Sequence, residues 1–98
     1  MKISVIIVSY NCKAFLDYCL QSVSKALKQI DSEILVIDNC STDGSIEYLK
    51  SKKYDFRIIE NKENLGFSKA NNKAAKLAKG EYLFFLNPDT IIPEDLID

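Results

Sequence analysis

The chain has 98 residues, 47% hydrophobic and 28% charged, which is the composition of one ordinary globular domain and not of a disordered segment. Thirteen basic against fourteen acidic side chains leave a formal net charge of −1. That removes the strong attraction to phosphate backbones on which nucleic-acid binders rely, and no nucleic-acid partner is expected.

Taken in chain order, residues 2–9 (KISVIIVS) form a β-branched apolar run suited to a strand buried on both faces. With no small-residue cleavage site, this start reads as a strand and not as a signal peptide. Beyond Lys13, the residues Leu16, Cys19, Leu20, Val23, Leu27 and Ile30 recur every three or four positions and predict an amphipathic helix to Ile30, with Asn11 as its N-cap. Residues 33–38 (EILVID) predict a second strand. Ser41-Thr42-Asp43-Gly44 then supply turn and cap chemistry for a short helix carrying Ile46 and Leu49, with Asp43 mainly a cap. Residues 56–59 read as a third strand, and Asn64-Leu65-Gly66 as a turn. A helix is expected over 67–79 with Ala70, Ala74, Leu77 and Ala78 inward, and with Gly80 stopping it in a left-handed cap. Residues 82–86 (YLFFL) predict a fourth strand, closed by Asn87-Pro88 because proline cannot donate to a ladder.

Strands alternating with helices predict an α/β fold of three layers, a mainly parallel sheet of about four strands with helices on both faces. Ligands of such sheets bind beyond the carboxyl ends of the strands. The polar turns there are Ser9-Tyr10-Asn11, the run 38–45, and Asn87-Pro88-Asp89-Thr90. Tyr10 offers a flat face to a base or sugar, or else packs as a loop aromatic. Asp38 contacts a ligand or caps the next helix. Asp89 follows a proline at the end of an apolar strand, where an oxygen ligand suits Mg²⁺ or Mn²⁺; the other reading is a cap for a helix starting near residue 93. Asn87 adds an amide to the same place. Neither G-x-G-x-x-G nor a P-loop pattern is present, so bound phosphates need a metal or basic residues. Histidine is absent, which excludes serine–histidine and cysteine–histidine nucleophiles and histidine-ligated metals. Three cysteines without C-x-x-C spacing argue for neither a disulfide framework nor a zinc site, and a reducing cytoplasm is the expected home. No apolar run reaches the ~18 residues of a membrane span.

Four segments in order and spacing, VIIVSYN (5–11), VIDNCSTDGS (36–45), ENLGFSKANNKA (63–74) and GEYLFFLNPDT (80–90), resemble the N-terminal half of family 2 glycosyltransferases of the GT-A fold, over residues 3 to about 93. The resemblance implies a strand order of 3-2-1-4. It also implies inverting transfer of a sugar from a nucleotide-diphosphate donor to a saccharide or lipid-linked acceptor, in bacterial-type surface polysaccharide synthesis, assisted by Mn²⁺ or Mg²⁺. Carried over position by position, Ser9, Tyr10 and Asn11 line the nucleobase, Asp38 and Asn39 contact base and ribose, and Asp89 is the metal ligand ending a D-x-D motif. The sequence departs from the family pattern at three places. Asn39 stands for a second aspartate, Asn87 for the first acid of D-x-D, and Asn71 for an arginine. This combination is similar to the rhamnosyltransferase-like branch, which makes dTDP a competitor of UDP.

In the family, the general base lies in the second half of the domain, so no catalytic residue is expected within this chain. Residues 1–98 are therefore expected to be a single truncated nucleotide-sugar-binding part, inactive alone. The alternative is a non-catalytic nucleotide-binding or assembly module. A 3-2-1-4 order leaves the fourth strand, with Phe84 and Phe85, as an apolar edge, from which self-association is expected. The location implied is cytoplasmic, with the inner face of the membrane open to the full-length protein.

Overall fold

The computed structural model describes residues 2–11, 13–51 and 56–86. Along these, β1 (Ile3–Ser9), α1 (Lys13–Ala26), β2 (Ser32–Asp38), α2 (Ser45–Ser51), β3 (Arg57–Glu60), α3 (Phe67–Leu77) and β4 (Tyr82–Leu86) follow one another. The strands form one sheet in the order β3-β2-β1-β4, with every pair parallel. The expected architecture and strand order are those observed.

Alternation along β1 divides its side chains between two cores. Val5 and Ile7 pack with Leu16, Cys19, Leu20 and Val23 of α1 and with Leu49 of α2. Ile6 and Val8 pack with Leu35, Ile37, Ala70 and Ala74 on the face covered by α3. Val5, Ile6 and Ile7 are wholly buried, and each such side chain contributes about 1.5–3 kcal/mol of burial. The alanines at positions 70 and 74 let α3 lie close to the sheet.

Three features differ from the sequence reading. The helix after β1 ends at Ala26, four residues before its apolar period does. The chain tightens into a turn in which Ile30 N–H donates to Leu27 O (2.9 Å), and both side chains still reach the first core. At the end of α3, Leu77 is 44% exposed, not inward. Gly80 is not in the left-handed region; the positive-φ glycines are Gly44 and Gly66, and α3 ends at Ala78 in extended backbone.

Gly80 has a different reason to lack a side chain. A Cβ there would stand 2.6 Å from Ser4 N and Oγ and 2.7 Å from Ile3 C. The close approach serves a clasp at the amino ends of the strands. Gly80 N–H donates to Ser4 Oγ (2.8 Å), and Ser4 Oγ–H donates to Glu33 Oε2 (2.6 Å). Lys79 N–H donates to the same oxygen (2.6 Å), and Arg57 Nη2 donates to Glu33 Oε1 (2.9 Å) and to Leu77 O (3.0 Å). One carboxylate thus ties β1, β2, β3 and the segment entering β4. Burial pushes the Glu33 carboxyl up, but the bonds from Ser4, Lys79 and Arg57 and the guanidinium charge outweigh it and hold the group below its ordinary value of 4.5.

On the α3 face the helix covers β1 and β2 but leaves Leu83 and Phe85 of β4 bare among the described residues, 40% and 48% exposed. Phe84 turns the other way, into the first core. Among the described residues no helix is long and apolar enough to cross a membrane.

A carboxyl whose pKa is depressed by folding adds stability above its unfolded pKa and loses it as pH falls through the folded one. The protein is therefore expected to lose stability on acidification below about pH 4.5. Glu33→Gln should lower stability at neutral pH and flatten that acid limb, as read from urea unfolding across pH 3–7.

Candidate functional site

The register that pairs Ile3 with Ser32 ends with Ser9 opposite Asp38, so two loops leave the sheet side by side. The ladder runs one step further, since Asn39 N–H donates to Ser9 O (2.8 Å), and Asn61 N–H donates to Asp38 O (2.9 Å). Beyond these the backbone groups need side-chain partners, and the polar residues of the two loops supply them.

Asp38 is buried, and both of its carboxylate oxygens are bound by Ser41. Oδ1 accepts from Ser41 Oγ (2.7 Å) and Oδ2 from Ser41 N–H (2.9 Å). Ser41 Oγ also accepts from Asn11 N–H (3.0 Å), and Asn11 Oδ1 accepts from Thr42 N–H (2.8 Å). Asn11 sits at φ 48, a conformation that asparagine tolerates better than most residues. Its oxygen serves the neighbouring loop, where the sequence suggested an N-cap for α1. The first turn of α1 is bound by Asp43, whose Oδ2 accepts from Lys13 N–H (3.0 Å). The other oxygen of Asp43 accepts from Ser45 N–H (3.1 Å) and from the Ser45 hydroxyl. Burial alone raises the Asp43 carboxyl; the bonds from Ser45 and Lys13 N–H prevail and hold it below its ordinary value. One aspartate thus serves two helices, where the sequence reading assigned it one.

Tyr10, half exposed, stands at the rim of these loops. Ser9 is fully buried beneath it. Asn39 is also buried, and its amide is committed within the protein on every side. Oδ1 accepts from Asn61 Nδ2 (3.0 Å) and Leu65 N–H (3.0 Å), while Nδ2 donates to Asn64 Oδ1 (2.9 Å) and Gly66 O (3.2 Å). Asn71, one position after the buried Ala70, is half-buried in α3 and forms no part of these bonds. The structure therefore brings Ser9, Tyr10, Asn11, Asp38 and Asn39 together at one edge, and among the described residues Asn71 bonds to none of them. Asn87 and Asp89 lie outside the described residues.

Sequence reasoning passed over Ser41, Asn61, Asn64 and Lys73, whose Nζ donates to Asn61 Oδ1 (2.6 Å). Asn64 read only as part of a turn and Asn61 drew no reading; the signal was asparagines just past the ends of two strands, each able both to donate and to accept. Among the described residues no group of three or more His, Cys, Asp or Glu side chains is placed to hold a metal. The oxygens of Asp38 are engaged by Ser41.

Residues 4–98 match the family model described as glycosyl transferase family 2. The chain belongs to that family. It is 38% identical over 102 residues to a poly(ribitol-phosphate) beta-glucosyltransferase of Bacillus spizizenii, covering 99% of this chain and 16% of the relative. It is 41% identical over 91 residues to an Escherichia coli UDP-Glc:alpha-D-GlcNAc-diphosphoundecaprenol beta-1,3-glucosyltransferase, covering 89% and 35%. Among solved structures, Staphylococcus aureus TarS in complex with UDP superposes with a TM-score of 0.85 at 31% identity, over 96% of this chain and 29% of that one. The chain thus spans well under half the length of these family members.

The cross-loop bonds of Asn11 carry a test. Asn11→Ala removes the acceptor for Thr42 N–H and leaves a β-carbon in a left-handed conformation, so about 1–2 kcal/mol of stability should be lost. Asn11→Gly relieves the second penalty and should cost less. Urea unfolding of the two variants checks the order.

Proposed function

We propose that this chain is the donor-binding part of a glycosyltransferase, holding a nucleotide-diphosphate sugar for inverting transfer to a saccharide or lipid-linked acceptor in surface polysaccharide synthesis. The observation that carries the reading is the convergence of Tyr10, Asn11, Asp38 and Asn39 on the carboxyl edge of a parallel sheet, where this architecture takes its ligands. Tyr10 supplies a face for the base, and Ser9, Asn11 and Asp38 shape the wall beside it. Asn71 and Asn87 complete the donor-facing set. Asp89 holds Mn²⁺ or Mg²⁺, which when bound neutralises charge on the leaving diphosphate.

UDP is the first nucleotide of choice, because TarS was solved with UDP and with UDP-GlcNAc at 31% and 29% identity. The combination of Asn39, Asn71 and Asn87, where the family carries an aspartate, an arginine and an acid, favours the rhamnosyltransferase-like branch and keeps dTDP as the second reading. A fold neighbour at 24% identity, from Pyrobaculum calidifontis, was solved with GDP-Man and Mn²⁺. The acceptor reading draws on the Escherichia coli relative, whose name specifies a diphosphoundecaprenol-linked sugar. On this reading the protein works in the cytoplasm, at the inner face of the membrane. Residues 1–98 form the donor half, and the general base belongs to a second half of the domain.

Calorimetric titration with UDP and dTDP, each with and without Mn²⁺, tests this reading. UDP is expected to bind more tightly with the ion, and Asp89→Ala is expected to erase the difference. Binding that ignores both the ion and the substitution removes Asp89 from its role. A folded sample that binds neither nucleotide favours a non-catalytic assembly module.

The bare Leu83 and Phe85 of the edge strand β4 support self-association of the chain through a second copy. Sedimentation velocity should show concentration-dependent dimers that Phe85→Lys suppresses. A clean monomer at high concentration would remove this part of the reading.

A further inference from the structure

Beneath the carboxyl edge runs a one-way chain of donors. Lys73 Nζ donates to Asn61 Oδ1 (2.6 Å), Asn61 Nδ2 to Asn39 Oδ1 (3.0 Å), and Asn39 Nδ2 to Asn64 Oδ1 (2.9 Å) and Gly66 O (3.2 Å). An asparagine amide can usually be turned over to suit its partners, but groups that cannot reverse fix the direction of this chain. The Lys73 ammonium only donates. Leu65 N–H donates to Asn39 Oδ1 (3.0 Å), and Gly66 N–H donates to Asn64 Oδ1 (2.8 Å). At the far end Gly66 O only accepts, and it also receives Ala70 N–H (3.2 Å) from the first turn of α3. The amides of Asn39 and Asn61 are buried, at 2% and 7% exposure, so a wrongly directed group there has no water to turn to.

We propose that Asn39 is a positioning residue that must be an amide: oriented through Asn61 by Lys73, it holds the 61–66 loop and the start of α3 against the end of β2. It acts on a ligand through that loop, not by touching it. A carboxylate at position 39 would keep the bonds from Asn61 and Leu65 but would turn its second oxygen onto two acceptors, Asn64 Oδ1 and Gly66 O. The loop and the helix start would then lose their tie to the sheet. The binding consequence rests on the donor-site reading; the structural one does not.

The test is Asn39→Asp, compared with the unaltered chain by thermal unfolding at pH 8 and pH 5. The ionisable residues on the segments meeting at Asn39 are Asp38 and Cys40 beside it, Glu60, Lys62 and Glu63 around the end of β3, and Lys69 and Lys73 in α3. Burial and the adjacent Asp38 both raise the pKa of the introduced carboxyl. On acidification it takes up a proton and regains one donor. The expected result is a fall in Tm of about 5 °C or more at pH 8 that shrinks by about half at pH 5. No fall at pH 8, or an equal fall at both, overturns the proposal. Lys73→Met reaches the same chain from its exposed end without replacing either buried asparagine. Amide exchange of Leu65 and Gly66 should quicken roughly fivefold and return in Lys73→Arg; unchanged exchange in Lys73→Met also overturns it. UDP titration of Asn39→Asp adds the binding arm, with affinity expected to drop about tenfold at pH 8. Unweakened binding in this variant overturns the role toward the ligand. Failure of the unaltered chain to bind either nucleotide counts against the proposed function, while the unfolding and exchange results still decide the amide chain.

Discussion

The parallel register of β1 and β2 is the constraint from which the rest of the structure follows. Because Ser9 ends opposite Asp38, two chains leave the sheet at the same height and must diverge at once, one toward α1 and one toward α2. Neither can continue the ladder for more than a step, so their backbone N–H groups are left to side chains. Asp38, Ser41, Asn11 and Asp43 meet that need by bonding across the gap as well as along their own loops. The edge that takes ligands in this architecture is thus built from residues already occupied with one another. Among the described residues of these loops, Tyr10 stands half exposed at the rim.

The opposite edge solves a related problem with one carboxylate. Glu33 receives bonds from Ser4, Lys79 and Arg57, and so gathers all four strands at their amino ends. Both edges thus rest on carboxylates surrounded by donors, which make short, rigid ties. At the carboxyl edge Asp38 and Asp43 are accompanied by the amides of Asn11 and Asn39, whose oxygens accept while the Asn39 nitrogen donates.

Much of this was legible in the sequence. The β-branched runs of β1 and β2 and the three-and-four spacing of α1 determine the layers, because burial on both faces of a strand admits few other arrangements. The loops after β1 and β2 were recognisable from their polar residues as a place where side chains meet. The division of labour within them was not. Asn11 reads locally as a cap for the helix that follows it, yet its oxygen serves Thr42, which is 31 residues away. Asp43 reads as a cap for α2 and also binds the first turn of α1. Gly80 looked like a helix terminator, whereas the demand on it comes from Ser4 across the sheet. In each case the local pattern named the right residue, and a partner distant in sequence decided its use.

The tie between Gly80 and Ser4 closes a loop of 76 residues, at an entropic cost of about 4 kcal/mol. During synthesis, β1 leaves the ribosome long before the strand that will cover its second edge. Through that interval the most apolar strand of the sheet has one row of hydrogen-bonding groups open and an unfilled notch at Ser4. The glycine that leaves room for this late docking sets the point at which the sheet can first close.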